Sequence, residues 1–159
     1  VRRFLAPLLA AAALALPLRG ADDPLARFAV VAIKPATTSL IVASVTMTMP
    51  PFTRRKVVYS STYYAKVFPY FFYSERGRIW IAIPDADLLR AARGEAVDFK
   101  GQAVSDAGET RRVEGHAVPT GPTTGRIRVR VFVTRRISLN YDTTYELRGA
   151  PPPPALTSR

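Results

Sequence analysis

Arg126-Ile127-Arg128-Val129-Arg130-Val131-Phe132-Val133-Thr134, followed after Arg135-Arg136 by Ile137-Ser138-Leu139-Asn140-Tyr141-Asp142-Thr143-Thr144-Tyr145-Glu146-Leu147, decides the fold. In an extended chain alternate side chains point to opposite faces. The first segment then sends Arg126, Arg128 and Arg130 one way and Ile127, Val129, Val131 and Val133 the other. The second collects Ile137, Leu139, Tyr141, Thr143, Tyr145 and Leu147 on one face. Its opposite face carries Ser138, Asn140, Asp142, Thr144 and Glu146. Two antiparallel strands, each apolar on one side, are expected. Matching their apolar faces requires an even register sum, as in two neighbouring registers. One sets Val133 opposite Ile137 and Arg128 opposite Asp142; the next sets Arg130 opposite Asp142 and Arg126 opposite Glu146. Either gives the arginines acidic neighbours, each exposed pair contributing about 0.2–1 kcal/mol. Arg126, Arg128 and Arg130 therefore read first as a solvated, partly neutralised face, and second as an anion-facing site.

Working upstream, Ala96–Ser105 and Arg111–Pro119 are two further strand-like segments, joined by hairpin chemistry at Asp106-Ala107-Gly108-Glu109. A short echo, Gly101-Gln102-Ala103-Val104 against Gly115-His116-Ala117-Val118, suggests close packing or bulges at the matched glycines. Asp85 to Ala92 is the one convincing helix, capped by Asp85 or Asp87 and closed by Gly94, so a short helix is expected near 85–93. Arg78–Ile83 is a strand ended by Pro84, and Glu75-Arg76-Gly77 reads as a turn. Val57 to Tyr73 reads as two aromatic-rich strands interrupted near Ala65-Lys66 and Pro69. Thr53 to Lys56 reads as an exposed loop, and Phe28–Ile33 with Ser39–Met49 as a first hairpin.

The expected fold class is all-β. An antiparallel β-sandwich is favoured, with the helix as a crossover between sheets, and a small closed β-barrel is the alternative. The expected organisation is a signal peptide over 1–21, a single β-rich domain over 22–148 and a Pro-rich flexible tail over 149–159. Arg2-Arg3 before the uncharged run Phe4–Leu18 is the pattern of a secretory leader, with a helix over its apolar run. That run is short of the roughly 20 apolar residues a membrane span needs. Cleavage is expected after Ala21, and Phe4 directly after Arg3 departs from the twin-arginine pattern. An exported protein, periplasmic or extracellular, is the expectation. After cleavage it would not be an integral membrane protein.

The 159-residue chain has 23 basic and 12 acidic residues, a formal net charge of +11. Such a balance favours acidic partners, while export argues against nucleic acid as the physiological one. The absence of cysteine excludes disulfides, a catalytic thiol, thiolate metal sites and acylation on cysteine. His116 is the single histidine, which excludes multi-histidine metal centres. No nucleophile elbow, phosphate loop or dinucleotide fingerprint is present. No catalytic residue, metal ligand or cofactor is assigned.

Nine aromatics fall between Tyr59 and Trp80. Alternation sends about half inward, and Tyr63, Tyr64, Tyr70, Phe71, Tyr73 and Trp80 are the candidate binding surface. The leading expectation is a non-enzymatic binding or structural domain of the cell envelope, contacting an envelope protein, a glycan or an acidic surface through these aromatics. The alternative is a carrier of a small apolar ligand, with the same aromatics lining a cavity of several hundred cubic ångströms. A carboxylate-dependent hydrolase ranks last.

Overall fold

The computed structural model describes residues 23–149, so the expected leader and all of the Pro-rich tail but Gly149 lie outside the described residues. A turn of 3₁₀ helix at Ala26–Phe28 precedes β1 (Val30–Ile33), β2 (Ala36–Ser39), β3 (Ser44–Thr48), β4 (Phe52–Arg55) and β5 (Val58–Phe68). A second 3₁₀ turn at Phe71–Tyr73 leads to β6 (Glu75–Ala82), α1 (Asp85–Ala92), β7 (Val97–Ser105), β8 (Thr110–Pro119), β9 (Thr124–Phe132) and β10 (Ser138–Leu147).

Strands β1 and β4 to β10 close into an eight-membered antiparallel ring in which β10 returns to β1 and β5 pairs with β6. The fold is thus the closed barrel and not the sandwich. Both architectures demand the same inward–outward alternation, so periodicity alone does not separate them. The helix proves to be no crossover, because β6 and β7 on either side of it are directly hydrogen-bonded neighbours. It folds across one end of the barrel and buries Leu88 there.

The first hairpin is longer than its sequence suggests. Val30 lies opposite Thr53 and Ala36 opposite Met47, which is one continuous register carried from β1–β4 into β2–β3. Its turn is at Leu40–Ala43, inside the stretch expected to be a single strand. Pro35, Pro50 and Pro51 bring no N–H to this ribbon and divide it into two short paired pieces. β5 backs the whole ribbon, taking β4 along Val58–Ser60 and β3 along Tyr64–Phe68.

Three other local expectations are corrected. Thr53–Arg55 belongs to a strand, because buried Phe52 anchors it in the wall and the Arg54 guanidinium bonds Asp85 of α1. Val57–Tyr73 contains one strand of 11 residues rather than two, and Pro69 stops it. Glu75-Arg76-Gly77 lies inside β6, with Gly77 providing room for a neighbouring ring and not a change of direction. α1 has the expected bounds, but Pro84 occupies its N-cap. Asp85 and Asp87 sit in its first turn, where they complement the helix dipole. Gly94, at φ +85°, closes it as expected.

Candidate functional site: an apolar lumen with one polar corner

The inward positions of every strand meet around a lumen of about 620 Å³. Its wall is almost wholly aliphatic and aromatic, because the period-two pattern places Ile79 and Ile81 of β6, Phe99 and Ala103 of β7, Val113 of β8 and Leu139 of β10 on one side. Filled eight-stranded barrels exist, so an open interior needs a cause. Here the cause is a set of inward glycines, each directly opposite a large side chain on the neighbouring strand. Tyr63 faces Gly77, Ile81 faces Gly101, Phe99 faces Gly115 and Tyr145 faces Gly125. A Cβ at any of the four glycines would collide with the side chain lying over it. The rings therefore lie against the wall and leave the axis of the barrel free. The glycines of the sequence echo fit this pattern, though they stand on adjacent rungs and not at one height: Gly101 pairs with Val113, and Gly115 with Phe99.

One end is shut. Leu88 and Ala91 of α1 and Phe28 of the first 3₁₀ turn reach the lumen, and the Tyr59 hydroxyl donates to the Phe28 carbonyl at 2.8 Å. At the other end the lumen meets the surface between Leu40, Tyr70, Tyr73 and Ile137, all of them exposed and all lining it.

Near that mouth sits a charged corner of the wall; Lys34 is a further charged residue that lines the lumen. The Tyr63 hydroxyl donates to Glu75 Oε1 at 2.5 Å, and Arg111 Nη2 lies 3.0 Å from Glu75 Oε2. Arg111 Nη1 also reaches the Val133 carbonyl at 3.2 Å, tying β8 to the turn after β9. Both carboxylate oxygens are thus engaged, as a partly buried charge requires. Burial first, and the Glu75 carboxylate second, push the Tyr63 phenol well above its ordinary value. Burial likewise pushes Tyr59 and Tyr141 well up, and it raises Tyr145. Tyr141 differs from Tyr59 and Tyr63 in that its buried hydroxyl, on the lumen wall, has no hydrogen-bond partner in the protein.

The six candidate aromatics do not form one surface. Tyr63 faces the lumen, Tyr64 and Trp80 lie on the outer wall of β5 and β6, and Tyr70, Phe71 and Tyr73 stand at the mouth. Arg126, Arg128 and Arg130 line the outer wall of β9 in the first of the two expected registers. Arg128 Nε lies 2.8 Å from Asp142 Oδ1, Arg130 Nε donates to Asn140 Oδ1 at 3.0 Å, and Arg126 is opposite Thr144. On the other flank β8 sets Glu114 opposite Arg130 and His116 opposite Arg128. His116 Nδ1 lies 2.7 Å from Asp98 Oδ1 on this same outer wall. Among the described residues no three histidine, cysteine or acidic side chains come together as a metal site would need.

Sequence reading missed Glu75, Arg111 and Tyr141 as site residues. Their parity was available: Glu75 is in step with Gly77, Ile79 and Ile81, and Arg111 with Val113, Gly115 and Ala117. A charged residue on the apolar parity of a strand is the signal that marks a polar corner.

The fold and site together define a closed eight-stranded antiparallel barrel with an apolar lumen, plugged at one end and open at the other. No family model, no curated protein and no solved structure matches the chain.

Proposed function

We propose that the chain is an exported, non-enzymatic carrier that holds a small apolar or amphiphilic ligand inside the barrel. The observation that supports this reading is the lumen itself. About 620 Å³ falls within the roughly 300–1,000 Å³ of small-molecule sites, and its wall is apolar apart from a few polar groups. Burying apolar ligand surface there is worth about 25 cal/mol per Å². The polar corner at Tyr63, Glu75 and Arg111 would receive a head group near the mouth, and the Tyr141 hydroxyl offers one hydrogen bond deeper in. This reading replaces the aromatic contact surface as the main function, since the six aromatics are divided among three locations. The outer wall, with its charged rows on β8, β9 and β10, is the reverse of a lipid-facing barrel, whose outward band is apolar.

Titration of the purified protein with the apolar fluorophore N-phenyl-naphthylamine tests the proposal. The native protein should take up one probe saturably. Ala65→Phe and Ala103→Phe, which project a ring into the lumen, should weaken uptake by roughly tenfold or more, about 1.4 kcal/mol. Thr62→Phe, on the outer face of β5, should leave it unchanged. Equal uptake by all four proteins, each shown to be folded by circular dichroism, would exclude the lumen as the binding site.

A further inference from the structure

Apolar side chains are not exposed evenly over this barrel; they gather at the open mouth. Four turns surround it: residues 40–43 between β2 and β3, 69–74 between β5 and β6, 106–109 between β7 and β8, and 133–137 between β9 and β10. Ile41 and Val42 stand out from the first, Phe71 and Phe72 from the second, and Ile137 from the fourth, with Ile41 fully exposed and Phe72 77% exposed. These three turns are neighbours around the ring, because β3 pairs with β5 and β2 lies beside β10. None of the three carries an acidic residue. Arg135 and Arg136 lie in one, and Lys66 and Arg76 stand in the strands that flank another. Lys66 Nζ is 5.6 Å from the centre of the Phe71 ring. The acidic residues of the mouth, Asp106 and Glu109, belong to the remaining turn, which lies across the ring from residues 40–43 and beside the other two. The Asp106 N–H donates to the Arg76 carbonyl, Glu109 lies 3.5 Å from Arg111, and Glu75 is held by Tyr63 and Arg111.

We infer that these three turns form a docking edge for the surface of an anionic lipid bilayer, with the lumen mouth turned toward the membrane. The arrangement suits the surface of an anionic bilayer. Aliphatic and phenylalanine side chains occupy the tips of the first two turns, and Arg135 and Arg136 form the tip of the third beside Ile137. Tyr70 and Tyr73 border the lumen, and Lys66 and Arg76 stand in the strands behind. Separate hairpin tips around an opening do not offer the flat, continuous face that a folded protein partner would cover. The opening itself gives the edge a purpose. Tyr70 and Tyr73 border both the lumen and the rim, so a hydrocarbon chain drawn from the bilayer passes to the apolar interior without crossing water. This step rests on the carrier reading; the docking edge is a separate surface and is tested separately.

The test is co-sedimentation of the full chain with vesicles of phosphatidylcholine containing phosphatidylglycerol, beside vesicles of phosphatidylcholine alone. Three variants share the native N-terminus: Ile41→Ser with Phe72→Ser, Arg135→Ser with Arg136→Ser, and Ala103→Phe. The native protein should partition onto the anionic vesicles, less strongly as salt is raised. A cation near an anionic surface improves partitioning by about fivefold, so the double arginine variant should bind roughly thirtyfold more weakly. The Ile41/Phe72 variant should lose binding to both vesicle types while keeping native uptake of free N-phenyl-naphthylamine. Ala103→Phe should keep vesicle binding and lose probe uptake. A native protein that stays in the supernatant with anionic vesicles, or an Ile41/Phe72 variant that sediments like the native protein, overturns the docking edge. Vesicle binding without probe uptake in the native protein would leave the edge standing and remove the carrier.

Discussion

Four chemically identical substitutions should divide into two classes, and the division tests how the lumen is kept open. At Gly115 and Gly125 the atoms nearest to an added Cβ belong to aromatic side chains, those of Phe99 and Tyr145. At Gly77 it meets the Val104 carbonyl and the Ser105 Cα besides the Tyr63 ring, and at Gly101 it meets the Trp80 carbonyl and the Ile81 backbone. A ring can rotate into the free lumen beside it; a strand backbone held by hydrogen bonds on both sides cannot. Gly115→Ala therefore gains about 0.4–1 kcal/mol from a stiffer unfolded chain. It loses about 0.5–1.5 kcal/mol as Phe99 leaves its favoured rotamer, for a net change within about 1 kcal/mol of zero. Gly77→Ala and Gly101→Ala force the sheet apart and should cost about 3 kcal/mol or more, the upper end of overpacking. With a urea slope of about 1–3 kcal/mol per molar, the two classes differ by roughly 1 M or more in unfolding midpoint. The ring displaced by Gly115→Ala enters the lumen, so that variant should also lose affinity for N-phenyl-naphthylamine while staying folded. Equal destabilisation by all four substitutions, or native probe affinity in Gly115→Ala, would refute the idea that flattened rings hold the interior open.

The remaining predictions concern charge, plug and pH. Arg111→Met leaves Glu75 with Tyr63 alone and frees the Val133 carbonyl. Because Arg111 and Glu75 keep 17% and 27% of their side-chain exposure, the cost should be about 1 kcal/mol and not that of a buried pair, as read by urea unfolding. Leu88→Ala removes the side chain by which α1 shuts one end. The loss should be about 2–3 kcal/mol, the low side of the usual range, and N-phenyl-naphthylamine should exchange faster through the second opening. Tyr59, Tyr63, Tyr141 and Tyr145 all have phenols raised by burial, so the folded state holds their protons more tightly than the unfolded chain does. Their contribution is complete below the ordinary tyrosine value of about 10 and is lost as pH rises above it. Their tyrosinate absorbance should therefore appear together with loss of the barrel's circular dichroism; ionisation of these four in an intact barrel would contradict their placement.

Particular residues show what sequence could and could not deliver. The strands at Arg126–Leu147 were legible in their facing and direction, and Arg128 opposite Asp142 is one of the pairings that an even register sum allows. α1 was legible to its bounds, since Pro84 and Gly94 punctuate it on both sides. Closure was not. Inward alternation is common to a ring and to two stacked layers, and the choice rests on pairings between strands far apart in the chain, such as β1 with β10. Gly77 misled because a glycine beside Glu-Arg looks like a turn, whereas its use here is to let Tyr63 lie flat. Of the aromatics, Tyr63 was readable as inward from its parity with Tyr59 and Ala65, and Tyr64 as outward from its parity with Lys66. The gathering of Tyr70 to Tyr73 at the mouth depended on where Pro69 ends the strand, which parity does not encode.

The ribbon of β1 to β4 is the least uniformly knitted part of the wall. Pro50 and Pro51 fall across from Ile33 and Ala32 in its register, so that span contributes fewer rungs than any long strand pair on the opposite side. Cooperative opening is set by the weakest such seam. A guest too bulky to pass the tyrosines at the mouth would find its easiest exit sideways, between the two halves of this ribbon, while β6 to β10 stay laced together.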